Sequence, residues 1–154
     1  MINVAFVVFE GFQSMALAAM PVFEYANFSA GEALYDVNVL SEDGRTLRAS
    51  GGLSVGTQAF DERVFDTVIV VGGDAILEQA PEAVLNYVRA SVKTARRTAS
   101  ICSGAFVLAQ AYLQDLLAVG ATAVQGIPVL QSVVAPDRWL LWLGVLFVLS
   151  VYHF

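Results

Sequence analysis

The chain has 154 residues, 57% of them hydrophobic and only 14% charged, with a net charge of −6. That is enough for one domain with a sizeable core and too few for two comfortable ones, and the acidic balance argues against the chain gripping nucleic acid by itself. Its single cysteine excludes an internal disulfide framework and a cysteine-cluster metal site, and suits a reducing cytoplasm.

The opening "MINVAFVVFEG" has no basic leader and no small-residue cleavage pattern, so it reads as a first strand and not as a signal peptide. Within it, residues 3–9 form a near-continuous Val- and Phe-rich run, as expected of a strand covered on both faces. Gly11 breaks the run. Residues 14–28 then place apolar side chains at helical spacing, with Ser14 as N-cap and a kink or restart at Pro21. "YDVNVLS" (35–41) alternates like a second strand. Asp43-Gly44 is a tight-turn signal that predicts a small hairpin, and 51–58 reads as a short edge piece.

"FDTVIVVGG" (65–73) is the next buried strand, ending in Gly72-Gly73. Residues 80–97 give the clearest helix, with Pro81 in its first turn and Lys93, Arg96 and Arg97 near its end, where cations suit the helix dipole. Asp74 is placed to cap a following helix. "TASIC" (98–102) is a short strand and 103–112 a helix. Strands alternating with helices imply βαβ units, hence a mostly parallel sheet with helices on both faces. Phe9, Phe12, Phe23, Tyr25 and Phe28 fall at strand or helix spacing and are expected in the core or on a dimer face. Past residue 112 the pattern blurs. The run from Trp139 to the end carries no acidic or basic residue but the weakly basic His153. It is shorter than the ~20 residues a spanning helix needs, so it reads as buried strand or helix, with membrane contact a minor alternative.

The only cysteine, Cys102, stands where the strand ends and the helix begins, followed by Ser103, Gly104 and Ala105. A side chain on such a corner projects above the carboxyl edge of the sheet, where open α/β folds bind ligands. Small neighbours allow a tight turn. Free N–H groups at a helix start favour a thiolate or hold an oxyanion, and Gly72-Gly73, at another strand end, offers further backbone N–H groups. This is nucleophile-elbow logic with Cys in place of Ser. The plainer alternative is an inert, buried structural thiol.

In this order and spacing, "FEGFQSMALAAMPVFEYAN", "FDTVIVVGG" and "RRTASICSGAFVLAQA" resemble the ThiJ/PfpI (class I glutamine amidotransferase-like) superfamily, and among its members the amino-terminal sensor domain of AraC-type transcription regulators. The resemblance covers roughly residues 3–115. It implies a flavodoxin-like three-layer sandwich over 1–115, with 116–154 a divergent or incomplete apolar end of the same domain. It also implies a homodimer, a small-molecule ligand of unknown identity, and no cofactor or metal. Cys102 would sit at the elbow, with Gly73 and Ser103 as backbone donors, beside Gly72, which its place at the strand end makes a further candidate.

The same resemblance marks what is missing. Enzymes of the superfamily carry an acid on the first helix, and on "GFQSMAL" that position is Ala16. The usual downstream histidine falls on Thr122. Glu10 is a possible substitute acid, otherwise a solvated carboxylate, and His153 would serve as a base only if the tail folded back. Without these groups, general acid–base help worth ~10²–10⁴-fold apiece is absent. The reading is therefore a non-catalytic, cytoplasmic sensor domain without a DNA-binding part of its own. The alternatives are a cysteine-dependent lyase or hydrolase, such as an isocyanide hydratase-like enzyme, or a redox or carbonyl-stress protein.

Overall fold

The computed structural model describes residues 1–73 and 80–112, and Met1–Tyr112 forms one compact unit. Expectations for Asp74, Thr122, His153 and the segment 116–154 lie outside the described residues. Five strands form one parallel sheet in the order β5-β2-β1-β6-β7: β1 (Ile2–Val7), β2 (Tyr35–Ser41), β5 (Gln58–Ala59), β6 (Thr67–Val71) and β7 (Arg97–Ile101). A small antiparallel pair, β3 (Leu47–Arg48) with β4 (Ser54–Val55), lies apart from it.

Strand alternation divides the core in two. Ala5, Val7 and Phe9 face one side with Val68 and Val70, where they meet Val84, Leu85 and Val88 of helix α2 (Glu82–Thr94) and Val107 and Ala111 of helix α3 (104–112). Val4, Phe6 and Val8 face the other side with Ile69 and Val71, meeting Phe12, Ala16, Leu47 and Phe23. Val4 to Val8 are 0% exposed, which explains the unbroken apolar run: a strand covered on both faces has no polar side to show. The result is the expected three-layer, flavodoxin-like α/β sandwich, with helices on both faces of a parallel sheet.

Several local expectations shift. The helical stretch after Gly11 is a 3-10 helix (Ser14–Ala19) that restarts as helix α1 (Met20–Ala30). Pro21 falls in the first turn of α1, where its missing N–H leaves nothing unpaired. Ser14 is the first helical residue and not the cap; Gln13, in extended backbone, precedes it. Pro81 likewise lies just outside α2, in extended conformation. The hairpin turns at Gly51-Gly52 and not at Asp43-Gly44. Gly44 instead takes a left-handed φ of +70° and passes so close to β5 that a side chain there would lie 2.5 Å from the Ala59 nitrogen.

Arg96 and Arg97 do not end a helix. Arg97 begins β7, and Arg96 grips Asp66 with a fork of two hydrogen bonds, 2.7 and 2.9 Å, tying the starts of β6 and β7 together. That guanidinium holds the Asp66 carboxyl below the usual carboxylate range, and Asp66 in turn raises the affinity of Arg96 for its proton. At the opposite edge, the Asn27 carboxamide of α1 donates to the Tyr35 carbonyl and accepts from the Tyr35 N–H, both at 2.8 Å. It occupies the outer rim of β2 as a neighbouring strand would. Phe9 and Phe12 are buried and Phe23 is half-buried, as expected of core residues, whereas Tyr25 and Phe28 are exposed. Among the described residues, no helix is long and apolar enough to cross a membrane.

Candidate functional site

The chain leaves β1 for β2 on one side and later adds β6 on the other. Such a reversal opens a crevice at the carboxyl ends of the two strands, where α/β sheets bind ligands. Here the loop after β1 and the glycines after β6 are stitched across it. Gln13 N–H donates to the Gly72 carbonyl at 2.8 Å, Phe12 bridges Gly73, and a side chain on Gly73 would lie 2.8 Å from the Gly11 carbonyl oxygen. One strand further along, β7 ends and Cys102 turns the chain into α3.

Cys102 has φ +55°, the only positive φ on a non-glycine among the described residues. L-residues avoid this left-handed region because Cβ crowds the following carbonyl. Such conformations persist only where the surroundings impose them, and they cluster at functional sites. Two glycines impose this one. A side chain on Gly104 would collide with the Val70 carbonyl oxygen and approach its carbon to 2.9 Å. A side chain on Gly72 would collide with Ser103 Oγ and lie 2.5 Å from the Gly104 nitrogen. The turn is thus pressed onto the end of β6 more closely than any Cβ permits.

The thiol is exposed, so the inert buried alternative does not describe it. Ser103 beside it is buried, and its hydroxyl donates to the Gly73 carbonyl at 3.0 Å, joining the two turns. Cys102, Gly72, Gly73 and Ser103 therefore converge on one corner of the sheet. Their N–H groups are not equivalent, however. That of Gly72 donates to the Ile101 carbonyl at 3.2 Å and is already engaged, which leaves those of Gly73 and Ser103 as the candidates to face a ligand. The first turn of α3 closes with Ala105 N–H on the Cys102 carbonyl and Phe106 N–H on that of Ser103.

Ala16 is buried in the cluster against which Ile101, the residue before the thiol, also packs. A methyl group stands there, and the described residues include no histidine. Glu10 lies elsewhere. It lines a groove of about 100 Å³ at the ends of β1 and β2, together with Phe9, Ser41, Asp43, Arg45 and Pro81. Glu10 contacts Arg45 at 3.6 Å, and Arg45 contacts Asp43 at 3.3 Å, all more than half exposed, so these pairs add little stability. Cys102 does not line that groove. Among the described residues no cluster of His, Cys, Asp and Glu is arranged to hold a metal. Sequence reasoning overlooked the stitching by Phe12 and Gln13. Its only signal was Gly11 between two phenylalanines, which allows the left-handed φ of +77° found there.

Comparison with known proteins bears on the family and the fold. A family model described as DJ-1/PfpI matches residues 2–124. The HTH-type transcriptional regulator GbdR of Pseudomonas aeruginosa is 32% identical over 116 residues, covering 73% of this chain and 32% of the regulator, so the chain spans about a third of that protein's length. An uncharacterized protein from the cpoL 5' region of Streptomyces lividans is 36% identical over 117 residues, covering 73% of this chain and 82% of that one. Among solved structures, an AraC family transcriptional regulator from Pseudomonas putida superposes with a TM-score of 0.60 at 24% identity, over 76% of this chain and 74% of that one.

Proposed function

The chain belongs to the DJ-1/PfpI family, and from that premise we propose that it is a ligand-sensing domain of the kind found in AraC-type regulators, binding a small molecule at the Cys102 corner without turning it over. The left-handed, exposed Cys102 carries the reading. A strained turn held by Gly72 and Gly104 is a preorganised shelf for a carbonyl or anionic group, with the Gly73 and Ser103 N–H groups as donors. Ala16 argues against turnover, because a thiol that attacks and then releases a substrate needs a proton acceptor or charge partner. The similarity to GbdR supports a regulatory setting, in the cytoplasm. With a net charge of −6, sensing and not DNA contact is the task proposed for this chain.

A second reading rests on the same strain: an elbow that projects its thiol also suits a cysteine-dependent lyase or hydrolase. Methylglyoxal and an alkyl isocyanide separate the two. The sensing reading expects neither lactate from methylglyoxal nor an N-substituted formamide from the isocyanide above background. It also expects that a metabolite found by thermal shift will slow iodoacetamide alkylation of Cys102. Formation of lactate or of the formamide that disappears in Cys102→Ala would replace the sensor with an enzyme.

A further inference from the structure

A trans peptide is one rigid plane whose carbonyl and N–H point in opposite directions. Three such planes link head to tail beside the Cys102 corner. The N–H of Gly73, a candidate ligand donor, shares its plane with the Gly72 carbonyl, and that carbonyl accepts from Gln13 N–H at 2.8 Å. The Gln13 N–H shares its plane with the Phe12 carbonyl, which accepts from Ser50 N–H at 3.0 Å. The Ser50 N–H shares its plane with the Ala49 carbonyl, which accepts from Gly52 N–H at 2.8 Å. An unbroken row of amides therefore begins at the turn between β3 and β4, crosses the loop after β1 and ends at Gly73. Every N–H along it donates in the direction of Gly73.

Each peptide carries a dipole of ~3.5 D, and hydrogen-bonded amides in series polarise one another by roughly 10–30% per bond. The positive end of this row is the Gly73 N–H. Three bonds behind it strengthen its donation to a carbonyl or anionic oxygen. Packing holds the row in place: Phe12 is fully buried, and Leu47 and Ala49 of the hairpin are buried in the same cluster. Gly11 N–H ties the loop to the Arg48 carbonyl at 3.0 Å by a separate bond outside the row. At the far end Gly52 has a left-handed φ of +86°, the conformation in which the turn closes on Ala49. We infer that the β3–β4 hairpin regulates the Cys102 corner. Through the row from Gly52 to Gly73, the order of the hairpin turn sets the donor strength of Gly73, and a ligand on Gly73 tightens the hairpin in return, since coupling between two sites is reciprocal.

This rests on Gly73 as a ligand donor, and the test separates the two. Iodoacetate on the full chain places a carboxylate on Cys102 without need of the natural ligand. Relative to the unmodified protein, the Gly73 amide proton should move furthest downfield in NMR spectra. Gln13 should follow by roughly a tenth to a third of that shift, and Ser50 by less again. Gly11, outside the row, should move less than Gln13. A still Gly73 would remove the donor reading and this inference with it. A shift confined to Gly73 would overturn the inference and leave that reading standing. Gly52→Ala tests the reverse direction and needs no alkylation. An L-residue at that φ should make the turn open roughly tenfold more often. Amide hydrogen exchange should then rise at Ser50 and, by about threefold or more, at Gln13, while Tyr35, bonded to Asn27 on the other side of the sheet, stays unchanged. Faster exchange at Ser50 alone, or a uniform rise that reaches Tyr35, would overturn the coupling.

Discussion

Replacing Gly104 with alanine tests whether the Cys102 turn is held as described. Position 104 opens α3 without a positive φ, so the backbone itself accepts alanine. By helix propensity alone the change should stabilise by ~1 kcal/mol. Against this, the new methyl would collide with the Val70 carbonyl oxygen and come within 3.0 Å of the Gly72 nitrogen. Both are backbone atoms at the end of β6, and neither has a rotamer to move. Forcing one methyl group into a packed site typically costs 1–3 kcal/mol, and an immovable wall puts this case at the upper end. The net expectation is a loss of about 2 kcal/mol, or a fall in Tm of roughly 4–8 °C for a chain of this length. Urea unfolding followed by circular dichroism reads the loss. Gly31→Ala serves as the control, since position 31 has a left-handed φ of +70° but open space around it, which predicts about 1 kcal/mol from strain alone. If Gly104→Ala matched or exceeded the wild type, α3 could not be pressed against β6, and the strain assigned to Cys102 would lose its cause.

Cys102→Gly should be at least as stable as Cys102→Ala, reversing the ~0.5–1 kcal/mol by which glycine normally trails alanine, because only glycine occupies φ +55° without strain; urea midpoints decide. Asp66→Asn tests the clamp with Arg96. The folded carboxyl titrates below its unfolded value, so its contribution is complete above pH ~4 and fades as pH falls through the lower folded value. The wild type should therefore lose Tm more steeply than the variant between pH 5 and 2, and parallel curves would contradict the pairing.

The sequence was most legible where burial is two-sided. β1 and β6 announce themselves because strands with both faces covered need only apolar residues, and their lengths are short enough to exclude a helix. The Cys102 corner was legible because a β-type run ends on a residue followed by Ser-Gly-Ala. What no periodicity conveys is which atoms touch across the fold. Asp43-Gly44 is a sound turn signal, yet the hairpin closes at Gly51-Gly52, where the turn leaves Leu47 in the core. Arg96 resembles a helix-ending cation until Asp66, thirty residues earlier, is found beside it. Asn27 reads as one more polar helix residue, and its role as a substitute strand depends on the position of Tyr35. The exposure of Tyr25 and Phe28 could not be read from their spacing either, since a helix period shows that a face exists but not which way it points.

The position of β1 at the middle of the sheet has a consequence for biosynthesis. The strand of this sheet that is made first is flanked by β2 and β6, and β6 is translated about sixty residues later. At typical elongation rates of ~5–20 residues per second, that interval is roughly 3–12 s. Throughout it, one of the stickiest segments of the nascent polypeptide waits with an unpaired edge, so demand for chaperones should be set by the order in which the strands are made as much as by the stability of the finished sandwich.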